Sequence, residues 1–224
     1  MTPAELTGRA RGHLEDLADP PCVLHVQAST PFSRLRQAAA QAGFDLVPQS
    51  AYRDFDRQLE IWNAKFNGEA TLNDASGRPI AALALPPAER IDAILRWSAL
   101  PGASRHHWGT DLDLVDRAAI LPGYRVRLVA EEYAPAGPFG PLASWLETNA
   151  ARFGFFRPYR GVLSGVQPEP WHFSFAPLAE PARRALTPAG LRDALRDAPL
   201  AGRDFVLPRL EELHERYVAR IDWP

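Results

Sequence analysis

Apolar residues recur along this chain with two distinct periods. Phe32, Leu35 and Ala39 fall at helical spacing and predict a helix over about 31–42, capped by Ser29 or Thr30 and stopped by Gly43. Phe55, Leu59, Trp62 and Phe66 share one face of a second helix, 55–66, with Asp54 as its cap. Pro86-Pro87 opens a third, reaching about Ser98, with Ile91, Ile94, Leu95 and Trp97 as apolar positions. A fourth, 141–153, turns Leu142, Trp145 and Leu146 inward and ends at Gly154. Two more are predicted over 188–196 and 208–221. The last buries Leu210, Leu213 and Tyr217 and leaves His214 on its exposed side. Thr2-Pro3 marks a helix start. Strand periodicity is clearest over 110–115, where Asp111 and Asp113 face one way and Leu112 and Leu114 the other. Shorter strands are predicted at 23–26, 44–48, 155–156 and 171–175, with another near 124–129, and 68–79 reads as an exposed loop.

At 224 residues, 46% apolar and 23% charged, the chain fits one domain with an ample core. The net charge of −2 carries no footprint for nucleic acid, and no run of about 18 apolar residues exists to span a membrane. Cys22 is the only cysteine, which excludes an intrachain disulfide and a cysteine-cluster metal site. Lys65 is the only lysine, so there is no P-loop, and it lies in a polar stretch expected to be solvated. Residues 1–18 carry Glu5, Glu15 and Asp16 and lack the apolar core of a secretory signal. The cytoplasm is therefore expected, or the bacterial periplasm if a leader precedes Met1. A monomer is expected.

Candidate chemistry concentrates in two stretches. Ser104 to Asp113 holds His106, His107, Asp111 and Asp113 around Gly109, after a Pro101-Gly102 turn. Imidazole and carboxylate are ligand types that zinc accepts besides thiolate. Asp111 and Asp113 share a strand face, so either can reach a metal held by His106. The second stretch, Gln167 to Phe173, adds His172 and, just before it, Glu169. Flanked by Trp171 and Phe173, His172 points to the face opposite those rings, and Glu169 can hover over the same face. Two ligands from one segment, one from another and a nearby carboxylate base are the parts of an open catalytic zinc site. Upstream, Arg53 stands at a strand-to-helix junction, where a side chain is either displayed for function or simply paired with Asp54 or Asp56.

Taken together these residues resemble the zinc D-alanyl-D-alanine carboxypeptidases and dipeptidases of the VanY/VanX type. The resemblance rests on Ser104, His106, Gly109 and Asp113; on Glu169, Trp171 and His172; and on Ser50, Tyr52 and Arg53 before both, over roughly Ser50 to Phe175. It implies that His106, Asp113 and His172 bind Zn²⁺, that Glu169 is the catalytic base and that Arg53 lies by the scissile carbonyl. Ser104, Tyr52 and Trp171 are the implied substrate-binding residues. The chain departs from the family at Asp111, where a small apolar residue is usual, and at Ala51, Asp54, His107 and Trp108.

The implied fold is α+β: a small, mainly antiparallel sheet with packed helices and the zinc in a cleft, as in Hedgehog domains. Residues 1–176 would form the zinc peptidase-like catalytic domain, with 177–224 a helical extension packed on it. The implied activity is hydrolysis of a peptide bond in a D-amino-acid-containing, cell-wall-type peptide, with D-alanyl-D-alanine carboxypeptidase foremost. The alternatives are an L-alanyl-D-glutamate or LD-specific peptidase on the same fold, and a zinc-stabilised binding domain without chemistry. The last needs neither Glu169 nor Arg53.

Overall fold

The alternating stretch at the centre of the chain is the hub of a four-stranded antiparallel sheet. The computed structural model describes residues 1–223. In order, its elements are α1 (Pro3–Leu6), β1 (Leu14–Ala18), β2 (Pro21–His25), α2 (Ser29–Gln41), β3 (Leu46–Ser50), α3 (Phe55–Phe66), β4 (Leu72–Asn73), β5 (Pro79–Ile80) and α4 (Pro87–Leu95). They continue with β6 (Asp111–Asp116), α5 (Gly140–Asn149), β7 (Phe155–Phe156), β8 (His172–Phe175), α6 (Ala176–Ala185), α7 (Pro188–Leu195), α8 (Arg203–Val206) and α9 (Leu210–His214). The main sheet runs β3-β6-β8-β7, while β1-β2 and β4-β5 are separate hairpins. This is the α+β class, with helices on both faces of a small antiparallel sheet.

Period-two alternation decides which face does what. Leu112 and Leu114 of β6, Phe173 and Phe175 of β8, Leu46 of β3 and Phe155 of β7 point to one side. There they pack with Phe32, Leu35 and Ala39 of α2 and Leu142 and Leu146 of α5. The opposite face carries polar side chains and is roofed by a second core. In that core Trp62 of α3 and Ile91 and Ile94 of α4 pack with Leu191, Leu195, Leu210 and Leu213 from the C-terminal helices. The Trp62 indole also donates to Ala201 O at 2.9 Å. The helices after Pro177 thus share a core with α3 and α4.

The helical stripes lie where their periodicity predicts. Asp54 caps α3 by accepting from the Arg57 amide at 2.7 Å. Two local expectations need correction, and two elements were not predicted. No strand forms over 124–129. The amides of Arg127 and Val129 donate instead to the buried Glu132 carboxylate, at 3.0 and 3.3 Å, which removes them from ladder pairing. The 68–79 loop holds the β4-β5 hairpin, anchored by buried Leu72 and tightened by Asp74, which accepts from the Ser76 and Arg78 amides. Helix α6 forms despite two prolines. Pro177 sits in the first turn, where no amide is needed, and Glu180 pairs with Arg183 and Arg184 at 2.8 and 2.6 Å. The strand of 14–18 pairs with Pro21–His25 and had no alternating signature strong enough to predict it.

Gly109 ends the 3₁₀ turn Arg105–Trp108 in the left-handed region, φ +66°. A Cβ there would lie 2.5 Å from Leu14 Cδ2 and 2.7 Å from the His25 amide nitrogen. A backbone atom cannot swing aside, so Gly109→Ala is expected to destabilise the fold by at least about 2 kcal/mol, measured by urea unfolding.

Candidate active site

The register of β6 on β8 sets Asp113 opposite His172 and Asp111 opposite Ser174. All four side chains lie on the polar face of the sheet and are buried. The 3₁₀ turn before β6 delivers His106 to the same point. Three ligand atoms, one each from His106, Asp113 and His172, lie within 4.8 Å of one another. His106 Nε2 is 3.5 Å from one Asp113 oxygen, and His172 Nδ1 is 3.4 Å from the other. A tetrahedral ion with ligand bonds near 2.0–2.1 Å would set its ligands about 3.3–3.4 Å apart.

Each histidine has one nitrogen committed elsewhere, which leaves the other for the metal. His106 Nδ1–H donates to Ala51 O at 2.7 Å, so Nε2 faces the triad. His172 Nε2–H donates to Asp111 Oδ1 at 2.8 Å, so Nδ1 faces it. Asp113 Oδ1 is buried without a hydrogen-bond donor. An orphaned carboxylate oxygen between two presented imidazole nitrogens fits a zinc ion in charge, donor type and spacing.

Asp111 is therefore not a ligand but the partner that orients one. Its carboxylate also accepts from Arg105 Nε at 2.7 Å, Thr110 Oγ1 at 2.6 Å and Ser174 Oγ at 3.0 Å. Burial alone would raise its pKa, yet the Arg105 guanidinium and these hydrogen bonds hold it far below the ordinary carboxylate range. With a metal held at His172 Nδ1, the arrangement would form a carboxylate–histidine–metal relay.

Around the triad stand two groups of opposite charge. Glu169 Oε2 lies 3.2 Å from His172 Nδ1. Burial pushes its pKa up, against the pull of His172. Arg53 leaves β3 just past a register shift between Pro48 and Ser50. Its Nη1 donates to Gln58 Oε1 at 2.7 Å and its Nη2 to Ser50 Oγ at 3.2 Å, which fixes the guanidinium. Arg53 feels both Asp113 and Glu169, although burial lowers its pKa. His107, the other histidine of the motif, is structural. Nδ1–H donates to Arg53 O at 2.6 Å and Nε2 accepts from the Gly102 amide at 3.1 Å, so it pins the Arg53 backbone. Burial drives its pKa to about 3 and keeps it neutral.

These groups open into a cleft of about 380 Å³. Ser104 and Trp171 line it; Trp171 is also wedged against Tyr133, ring centroids 5.6 Å apart. Tyr52 does not reach the cleft. Its hydroxyl donates to Gly8 O at 3.5 Å and the Arg11 guanidinium covers its ring. His214 is half-buried at the cleft wall, its Nε2–H donating to Leu186 O at 2.7 Å, rather than exposed. Three residues of the site escape sequence reasoning. Gln58 is a buried polar residue on the apolar side of α3, and that break in the stripe was a usable signal. Tyr159 stacks edge-on to His172, centroids 5.0 Å apart, and comes from a loop without motif. Lys65 lines the cleft instead of standing in solvent.

Residues 22–178 match the family model described as VanY, D-alanyl-D-alanine carboxypeptidase. The chain belongs to the VanY family. Curated relatives include a Haemophilus influenzae protein described as uncharacterized, 44% identical over 103 residues, 45% of this chain and 70% of that one. A D-alanyl-D-alanine carboxypeptidase of Enterococcus faecalis is 27% identical over 155 residues, 68% of this chain and 48% of its own length. Among solved structures, VanYB in complex with D-Alanine-D-Alanine superposes with a TM-score of 0.54 at 23% identity, covering 82% of this chain and 88% of that one. That likeness establishes the shared fold. Membership in VanY together with the His-Asp-His cluster makes the chain a zinc metallopeptidase.

Asp111→Asn is expected to weaken zinc binding about 10- to 100-fold in a chelator competition, because the charged acceptor that orients His172 and raises its basicity becomes a neutral amide. Leaving Arg105 without its carboxylate is expected to cost a further several kcal/mol of stability, seen as a lowered melting temperature.

Proposed function

We propose that this protein is a zinc-dependent carboxypeptidase that removes the terminal D-alanine from a peptidoglycan-type peptide ending in D-alanyl-D-alanine. The family supplies the reaction class. The observation that carries the residue roles is a single cleft holding three presented ligand atoms, a buried carboxylate of raised pKa and a fixed guanidinium. His106 Nε2, Asp113 and His172 Nδ1 would hold the ion. Bound there, zinc supplies Lewis acidity, lowering the pKa of water toward neutrality and polarising a carbonyl.

Glu169 takes the proton of the attacking water. Its raised pKa suits it to return that proton to the departing amine. Arg53 stabilises the negative charge that develops on the carbonyl oxygen, and its anchoring by Gln58 and Ser50 means that no reorganisation is needed then. Ser104 and Trp171 are proposed substrate contacts on the cleft wall. Tyr52 has no such role, given its place beneath Arg11. A purely structural zinc domain would need neither the buried Glu169 nor the held Arg53.

The catalytic unit is proposed as residues 1–176, with 177–224 a packed extension. The family match ends close to that boundary, at residue 178. Leu213 and Tyr217 from the extension line the cleft, so its helices would complete the substrate wall.

Incubation with a stem-type peptide should release D-alanine. A chelator should abolish the release and added zinc restore it. Absence of release from zinc-loaded protein would overturn the reading. Glu169→Gln is expected to keep its zinc by elemental analysis while kcat falls about 10²- to 10⁴-fold. Arg53→Ala should lower kcat about 10²- to 10³-fold with zinc content unchanged.

A further inference from the structure

Lys65 is the only lysine in the sequence, and the fold turns it into the cleft. It stands in the last turn of α3, on the same face as Gln58 and Ile61 at the three- and four-residue spacing of a helix. That face looks into the cleft, which Ile61 and Lys65 line together with Arg53 and Glu169. The side chain is half-buried in the cleft, and burial brings the pKa down to about 8, leaving the group largely charged at neutral pH.

The other cations of the cleft already have partners. Arg105 is spent on Asp111, Arg53 on Gln58 and Ser50, and Arg127 faces Glu132 across 3.8 Å. Among the described residues, Lys65 has no ion-pair or hydrogen-bonding partner on its side chain. The carboxylate whose charge it feels most is Glu169, the proposed base. Holding an ammonium half-buried in a cleft without a compensating anion is unfavourable. A structural role would have supplied one, and a solubility role would have left the side chain exposed.

We propose that Lys65 is a specificity residue that binds a carboxylate of the peptide, namely the free α-carboxylate of its C-terminal residue. This inference rests on the carboxypeptidase reading. An enzyme that removes only a terminal residue must distinguish a chain end from an internal bond, and the free carboxylate is the chemical mark of that end. The helix rises about 10 Å from Gln58 to Lys65, so the lysine stands further along the same wall than the arginine that Gln58 holds. The two cations therefore serve different oxygens of the substrate: Arg53 the scissile carbonyl, Lys65 the terminus. Lysine suits the second task because its ammonium is a point charge on a flexible stem.

The test compares N-acetyl-D-alanyl-D-alanine with its C-terminal amide, and with an analogue amidated at the terminus but carrying a side-chain carboxylate. Binding is measured by calorimetry on zinc-loaded protein bearing Glu169→Gln, alone and combined with Lys65→Met or Lys65→Arg. With Lys65 present the free acid should bind about 10- to 100-fold tighter than the amide. Lys65→Met, which keeps the stem volume, should abolish that preference without lowering the melting temperature, and Lys65→Arg should restore part of it. In the active enzyme the same loss should appear mainly in KM. Preference for the acid that survives Lys65→Met, equal binding of acid and amide, or binding of neither overturns the proposal. Preference of Lys65 for the side-chain carboxylate over the terminal one overturns the choice of terminus. Lys65-dependent discrimination with no release of D-alanine by the wild-type enzyme would instead uphold the cation's role and sink the carboxypeptidase reading.

Discussion

The register of β6 against β8 is the constraint on which the site depends. With Asp113 opposite His172 and Asp111 opposite Ser174, two polar cross-strand pairs fall on one face and Leu112 and Phe173 on the other. A slip of one residue would turn the acids into the Leu112–Phe173 core and the apolar side chains into the cleft. The hydrophobic face therefore enforces the geometry of the polar one. The metal ligands need no device of their own to find each other across the strands.

The polar face is stable because its charges are arranged in alternation. Asp111 lies between Arg105 and His172, and Asp113 lies between His106 and His172 with Arg53 nearby. Buried ions are costly to desolvate, and their mutual attraction offsets this only where geometry and hydrogen bonding are good. Here Thr110 and Ser174 supply the remaining donors to Asp111. Burial would lower the pKa of His172, but its hydrogen bond to Asp111 and the adjacent Asp113 and Glu169 carboxylates raise it well above its ordinary value. A cation at that position, whether a proton or a metal, balances the carboxylates.

The rest of the cleft is assembled from segments far apart in the chain. The backbone of Arg53 is pinned by His107 and its side chain is held by Gln58. One wall comes from the loop through Leu128 and Val129, shaped by the buried Glu132 carboxylate. Another comes from the C-terminal helices, whose apolar stripe continues the core of α3 and α4. An apolar stripe can be anticipated from spacing alone, but the surface it will cover depends on every other stripe in the molecule.

The sequence by itself determined most of the helices and the central strand, because periodicity is a local signal, while the His106, Asp113 and His172 set was legible through the resemblance its two motif stretches carry. Periodicity follows from backbone geometry, and metal-binding chemistry follows from residue type and short spacing. Only the tertiary structure decided that Asp111 orients His172 rather than binding metal, since both aspartates share a strand face and differ only in what stands across from them. It alone turned Tyr52 away from the cleft and brought His214 and Lys65 to it. For a polar side chain, solvent and a buried cleft look identical in one dimension. Which of the two it meets is set by the packing of elements distant in sequence.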